Sequence, residues 1–161
     1  MPDLMSHLLI GLILAELFNI KKKSIVVLGA LTPDLLAKIH LIYFYLGINP
    51  SILFTSFHTP LMLFLVSLLL APLFMYDSLK FIISFNIGSM SEILSDLTMK
   101  HFTVSGSRLF FPFSMKNFTL NLIWPEQSFY ILAVCILIYL AIKFLKKYYK
   151  LKFFRIKNVS N

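Results

Sequence analysis

The sequence predicts an all-α, polytopic membrane helix bundle with about five hydrophobic segments. Three observations lead there. Of the 161 residues, 58% are hydrophobic and only 14% are charged, with a mean hydropathy of +0.83, whereas a soluble domain carries about 25% charged residues. Apolar runs of spanning length, or close to it, recur along the whole chain. The cations gather beside those runs, in the block Lys21–Lys23 and in a C-terminal block from Lys143 to Lys157, as topology signals do. So little polar surface cannot cover a soluble protein of this size, and the same composition excludes disorder.

The first segment, Leu4 to Ile20, is short against the roughly 20 residues that a bilayer core requires. It lacks a basic leader and an A-x-A site and is interrupted by Glu16, so no cleaved signal peptide is expected. The second, Ser24 to Leu46, is long enough but holds Asp34, Lys38 and His40, and its Gly29 and Pro33 are places to kink or break. The third, Thr59 to Tyr76, has no basic and no acidic residue, and its Pro60 suits a first helical turn. The fourth, Leu79 to Lys100, contains Glu92 and Asp96. The fifth, Ser128 to Leu145, has an unbroken apolar run from Phe129 to Ile142. No internal repeat is visible. These segments form one transmembrane helical domain over 1–145, followed by a basic cytoplasmic tail over 146–161.

The positive-inside rule orients them. Five spans with the N-terminus outside put Lys21–Lys23, Lys80 and the C-terminal block in the cytoplasm, leaving Lys100, Arg108 and Lys116 outside. The expected localisation is a multi-pass protein of the cell (inner) membrane with a cytoplasmic C-terminus. Four spans with a re-entrant first or second segment are the alternative. Nucleic acid is not the expected partner, because the basic residues sit where topology requires them. The single cysteine, Cys135, lies inside an apolar run and forms no internal disulfide. The stretch His101 to Pro125 interleaves six Phe and Trp residues with Ser, Asn and Gly, which fits an interfacial lid or re-entrant piece on the outer face.

Ionisable residues inside spans are costly and face the bundle interior. The topology brings His7, His58, Glu92 and Asp96 to the outer half of the bundle. Asp34 lies about 15 Å from the inner edge at 1.5 Å per residue. Glu92 and Asp96 are four apart and share a helix face. Two adjacent carboxylates repel unless a proton or cation lies between them. With two imidazoles nearby, a divalent metal is a natural neutraliser, Zn²⁺ first and Mn²⁺ or Fe²⁺ after it. His7, Asp34, His58, Glu92 and Asp96 are therefore the candidate metal ligands, with Glu92 and Asp96 the candidate catalytic residues. Bland readings stand beside this one. Asp34 after Pro33 suits a helix cap, a lone His at a helix end is commonly only hydrogen-bonded, and Glu16 is expected to be structural or to pair with a lysine near the inner face. Lys38, His40 and His101 are weaker candidates.

These residues fall in a pattern. The opening Met1-Pro2-Asp3-Leu4-Met5-Ser6-His7 resembles the start of the YdjM-like family, small inner-membrane proteins described as membrane-bound metal-dependent hydrolases. Gly29-Ala30-Leu31-Thr32-Pro33-Asp34 resembles its Gly-Ala-x-x-Pro-Asp motif, and Phe57-His58-Thr59-Pro60 the second half of its His-rich motif. Gly88 to Thr98 is similar to its later helix motif, with Asp96 at the acidic position, and Gly106 to Ser114 to the stretch that follows. The resemblance covers about residues 1–115 and implies a metal-dependent hydrolase. Three positions depart from it: Leu36 replaces a second acid, Leu53 replaces a His, and Glu92 replaces a His. The first two lower the ligand count; the third exchanges one ligand for another. The motif style is also similar to zinc-dependent phospholipase C proteins, which suggests a phosphoester. The leading expectation is hydrolysis of a membrane-associated ester or phosphoester, with membrane lipid as partner. A non-catalytic member with a structural metal or none is the alternative, and an ion-translocating subunit a third reading. A homo-oligomer is compatible with the sequence, which does not decide it.

Overall fold

The computed structural model describes residues 4–46, 58–100, 109–114 and 116–159. Among them the chain is all-α: α1 Leu4–Leu17, α2 Lys23–Tyr45, α3 Pro60–Leu70, α4 Ser78–Thr98 and α5 Ser128–Val159, with single 3₁₀ turns at Ala71–Leu73 and Pro125–Gln127. Each expected segment contains one of these helices, and the ends differ for local reasons. α1 stops three residues early because Asn19 adopts a left-handed conformation at φ 51°. The Ile20 N–H then donates back to the Ala15 carbonyl, a Schellman-type stop that uses a free carbonyl of the last turn.

α2 runs unbroken through Pro33. The proline removes one backbone donor, and Thr32 Oγ1 donates to the Leu28 carbonyl just before it. α3 opens on Thr59, whose side chain accepts from the Met62 N–H, with Pro60 in the first turn. It ends at Leu70, because Pro72 cannot continue the ladder, and the chain tightens into the 3₁₀ turn Ala71–Leu73. The third segment is thus a shorter helix than its charge-free run to Tyr76 suggests. α4 opens on Asp77, which accepts from the N–H groups of Leu79 and Lys80. The Lys80 ammonium, 2.9 Å away, holds the Asp77 carboxyl below its ordinary range. That cap is therefore in place at neutral pH and is lost only as pH falls below the usual carboxylate value. α5 continues past Leu145 to Val159. The boundary expected at 145–146 falls inside a helix, and lysine is a good helix former.

Pairwise contacts fix the directions. His7, Gly11 and Glu16 of α1 meet Asp34, Ala30 and Lys23 of α2, so the two are antiparallel. His58, Ser67 and Ala71 meet Glu92, Asn86 and Phe81, so α3 and α4 are antiparallel. Ile25 packs with Phe81 and Phe85, while Ala30 approaches Gly88, so α2 and α4 run together. Ser6 shares a pocket with Ile131, and Glu16 accepts from Lys146, so α5 follows α1. The five helices alternate, and the bundle has two chemically distinct ends. One carries Lys21–Lys23, Lys80 and Lys146; the other carries His7, Asp34, His58 and Asp96.

The interior is unusually polar. Ser6, His7, Asp34, Thr59, Ser67, Ser89, Glu92 and Asp96 are buried, while Phe64, Leu68, Leu69, Ile83, Leu94, Leu137 and Leu140 are exposed. Glu16 is buried at the basic end, where Lys23 donates to it and Lys146 Nζ lies 3.2 Å from Oε2; the expected lysine pairing is present. Among the described residues one helix, Pro125–Tyr149 (25 residues), is long and apolar enough to cross a membrane, with a mean hydropathy of 2.3 over its most apolar 18 residues. Leu4–Leu17 and Pro60–Leu73 are shorter apolar helices.

A polar link joins α3 and α4. Asn86 Nδ2 donates to Ser67 Oγ at 2.9 Å and to its own-helix Ile82 carbonyl at 2.8 Å. Ser67→Ala is expected to cost about 1 kcal/mol, the ordinary net worth of such a bond, read as a lowered thermal midpoint in detergent. An unchanged midpoint would show that the amide finds full compensation at Ile82.

Candidate metal centre

The site is built where the two hairpins meet. α2 and α4 touch backbone to backbone at Gly29 and Gly88. A Cβ on Gly29 would lie 2.0 Å from the Phe85 carbonyl oxygen, and one on Gly88 2.0 Å from that of Val26. Just beyond this crossing each helix presents an acid: Asp34 five residues after Gly29, and Glu92 and Asp96 four and eight residues after Gly88. Multiples of four keep both α4 acids on nearly the face that Gly88 turns to α2. α1 and the residue preceding the α3 cap then add His7 and His58.

All five sequence-predicted ligands come together. His58 Nε2 lies 3.0 Å from Glu92 Oε1 and 2.9 Å from Asp96 Oδ2. His7 Nε2 lies 4.0 Å from Asp34 Oδ2. One ligand atom from each of His7, Glu92 and Asp96 falls within 4.8 Å of the others. Donors at 2.0–2.2 Å from one ion stand about 3 Å apart when adjacent in an octahedral site and about 3.5 Å apart in a tetrahedral one. His58 has the adjacent spacing to both Glu92 and Asp96, and His7, within 4.8 Å of those two acids, links the set to Asp34.

The donor atoms also lack hydrogen bonds, although His58 forms ion pairs with Glu92 and Asp96. His7 Nδ1 and Nε2, Asp34 Oδ1, His58 Nε2, both Glu92 oxygens and Asp96 Oδ1 are buried and make no hydrogen bond. His58 Nε2 is close to two carboxylates but lacks hydrogen-bond directionality to either. Buried polar groups are nearly always bonded, and leaving one unpaired is costly. Seven such atoms on five residues that face one another fit a cation. Three carboxylates in a dry site require positive charge or protons, and two imidazoles with three carboxylates suit Zn²⁺, Mn²⁺ or Fe²⁺. The His58 side chain is the most accessible of the five, at 16%, so the site is approached from its side.

The remaining candidates separate from it. Lys38 is exposed on α2, and Leu36 is half-buried where a second acid was sought. The His40 side chain, His101 and Leu53 lie outside the described residues, as do 101–108 and Met115 of the expected lid. The rest of that stretch is tied to this end of the bundle. The N–H groups of Leu120 and Leu122 donate to the Leu97 and Thr98 carbonyls, Lys100 N–H donates to Ile123, and Lys100 Nζ stacks on Trp124. Leu109 packs on Leu63, Ile93 and Leu97.

Sequence reasoning missed Ser6. Its Oγ is fully buried and unpartnered like the ligand atoms, and it lines a small pocket with Ser95 and Thr98. A serine beside a histidine in an otherwise apolar helix was the available signal. It also missed the use of Gly29 and Gly88 as the contact that sets α2 against α4. Comparison with family models, with curated proteins and with solved structures returns no match.

Proposed function

We propose that the chain is an integral membrane metal-dependent hydrolase of YdjM-like type, acting on a membrane-associated ester or phosphoester. The observation that carries this reading is the convergence of seven buried donor atoms without hydrogen bonds on His7, Asp34, His58, Glu92 and Asp96. A soluble fold has little reason to bury such a set inside an apolar exterior, whereas membrane bundles keep ionisable groups inward for function. The alternating helix directions, the lysines at one end and the exposed apolar faces support five passes with a cytoplasmic C-terminus. The metal site then opens toward the outer leaflet.

In this reading His7, Asp34, His58 and Asp96 hold a divalent ion, and Glu92 either ligates it or takes a proton from water. A divalent ion supplies Lewis acidity and a water acidified toward neutral pH. Glu92 is suited to the proton role because its Oε2 has no hydrogen-bond partner, while Oε1 faces His58 Nε2 at 3.0 Å. An apolar cleft of about 770 Å³ between α3, α4 and residues 109–113 starts at Pro60, two residues from His58, and favours a substrate with an apolar body.

In lipid nanodiscs, with a phosphodiester and a carboxylic ester as substrates, Glu92→Gln is expected to lower turnover by about 10²–10⁴-fold, the range for loss of a general base. Its helix content by circular dichroism should match wild type. The alternative, a non-catalytic protein of the same family with a structural metal or none, is favoured by Leu36 and Leu53 at ligand positions of that pattern. It predicts no turnover in either protein.

A further inference from the structure

The basic end carries a second site of different chemistry. The turn between α1 and α2 meets the start of α4 across an open cleft of about 550 Å³. Its floor is apolar, from Phe18, Ile20, Ile83 and Ile87, and Lys21 and Lys80 stand at its edge. Tyr76 closes one side and is held by Lys22, whose ammonium lies 4.4 Å from its ring centre. Phe18 is 62% exposed and Ile83 51%, so the floor is not satisfied within the fold.

The charges that face this cleft are unequal. Lys80 is paired with Asp77 at 2.9 Å, and the same Asp77 carboxylate also caps α4. Lys21 has no acidic partner among the described residues. Glu16, the other acid of this end, is occupied by Lys23 and Lys146. Lys21, Lys22 and Lys80 against Asp77 leave the edge cationic. A cationic edge over an apolar floor matches a molecule with an anionic head and an apolar tail.

We propose that this cleft binds an anionic phospholipid of the cytoplasmic leaflet, with its phosphate between Lys21 and Lys80 and an acyl chain along Phe18, Ile20, Ile83 and Ile87. The lipid stands across the α1–α2 and α3–α4 connections and joins the two hairpins at the end remote from the metal centre. The charge complementarity identifies the head and the apolar floor identifies the tail; basic clefts between helices at this level bind such headgroups. The inference rests on the membrane reading and is independent of hydrolysis.

The test is vesicle flotation followed by native mass spectrometry of the full chain. Vesicles are of phosphatidylcholine alone or of phosphatidylcholine mixed with phosphatidylglycerol. Wild type should float with both and retain phosphatidylglycerol in preference. Lys21→Gln with Lys80→Gln should lower that retention at least about tenfold, while Lys100→Gln with Lys116→Gln at the other end should not. Flotation without preference, or preference that survives the first double change, overturns the lipid site alone. Displacement of the lipid by inorganic phosphate shows a headgroup-only site and overturns it also. Failure to float overturns the membrane reading and the lipid site together.

Discussion

Protein purified without chelator is expected to carry about one divalent ion per chain, and the double change His58→Ala with Asp96→Ala to reduce this below about a tenth. The pair is chosen because His58 Nε2 and Asp96 Oδ2 form a close nitrogen–oxygen contact in the site, 2.9 Å apart. They come from the two ends of one hairpin, before α3 and on α4, so losing both leaves Glu92 as that hairpin's last donor. Either single change leaves four donors and is expected to weaken binding without abolishing it. Metal removal should also destabilise the wild type. An ion at a thousandfold excess over its dissociation constant adds about 4 kcal/mol to folding, or roughly 10 °C in the midpoint of a chain this long. Chelation should therefore lower the wild-type midpoint and leave the double variant unmoved. Elemental analysis and thermal unfolding give the two readings. Wild type free of metal and indifferent to zinc would sink the centre, and the hydrolase with it.

How much of this was legible follows from which contacts are local. Glu92 and Asp96 share a face by arithmetic alone, and alternation of successive helices brings like ends together, so the converging set His7, Asp34, His58, Glu92 and Asp96 was readable from four separate segments. Helix ends were less so, because hydropathy does not see backbone donors. Pro72 sits inside an apolar run that continues to Tyr76, yet it ends α3. Lys146 and Lys147 read as the start of a tail, yet they extend α5. Glu16 could be assigned a lysine partner but not which one. Lys146, 130 residues away, and Lys23 both reach it, and only the parallel course of α1 and α5 brings the former near. Ser6 escaped notice because a lone serine in an apolar helix is ordinary until its surroundings are known. Gly29 looked like a hinge in a proline-containing helix. It is instead a contact, and that contact governs the geometry of the site.

The largest effect of a single methyl group is expected at that contact. Gly88→Ala places a Cβ 2.0 Å from the Val26 carbonyl oxygen and 2.7 Å from the Ala30 nitrogen, and Gly29→Ala places one 2.0 Å from the Phe85 oxygen. Both obstacles are backbone of a packed helix and cannot rotate aside. α2 and α4 must therefore separate. Intrinsic propensity alone favours alanine over glycine in a helix by about 1 kcal/mol, so any net loss measures the clash. Overpacking of a rigid contact costs about 1–3 kcal/mol and occasionally more, and the upper end applies where backbone meets backbone. Gly11→Ala is the internal control, since its Cβ meets the Ala30 methyl at 3.2 Å and needs only a small adjustment. Gly88→Ala should thus unfold well below Gly11→Ala in a detergent melt. The same separation moves Asp34 away from Glu92 and Asp96. Metal distances tolerate only about 0.2 Å, so affinity for zinc should fall at least about tenfold even where the fold persists. A Gly88→Ala protein as stable and as tight for zinc as Gly11→Ala would mean that α2 and α4 do not set the site. The glycines would then be incidental to the chemistry, and the acids would converge for some other reason.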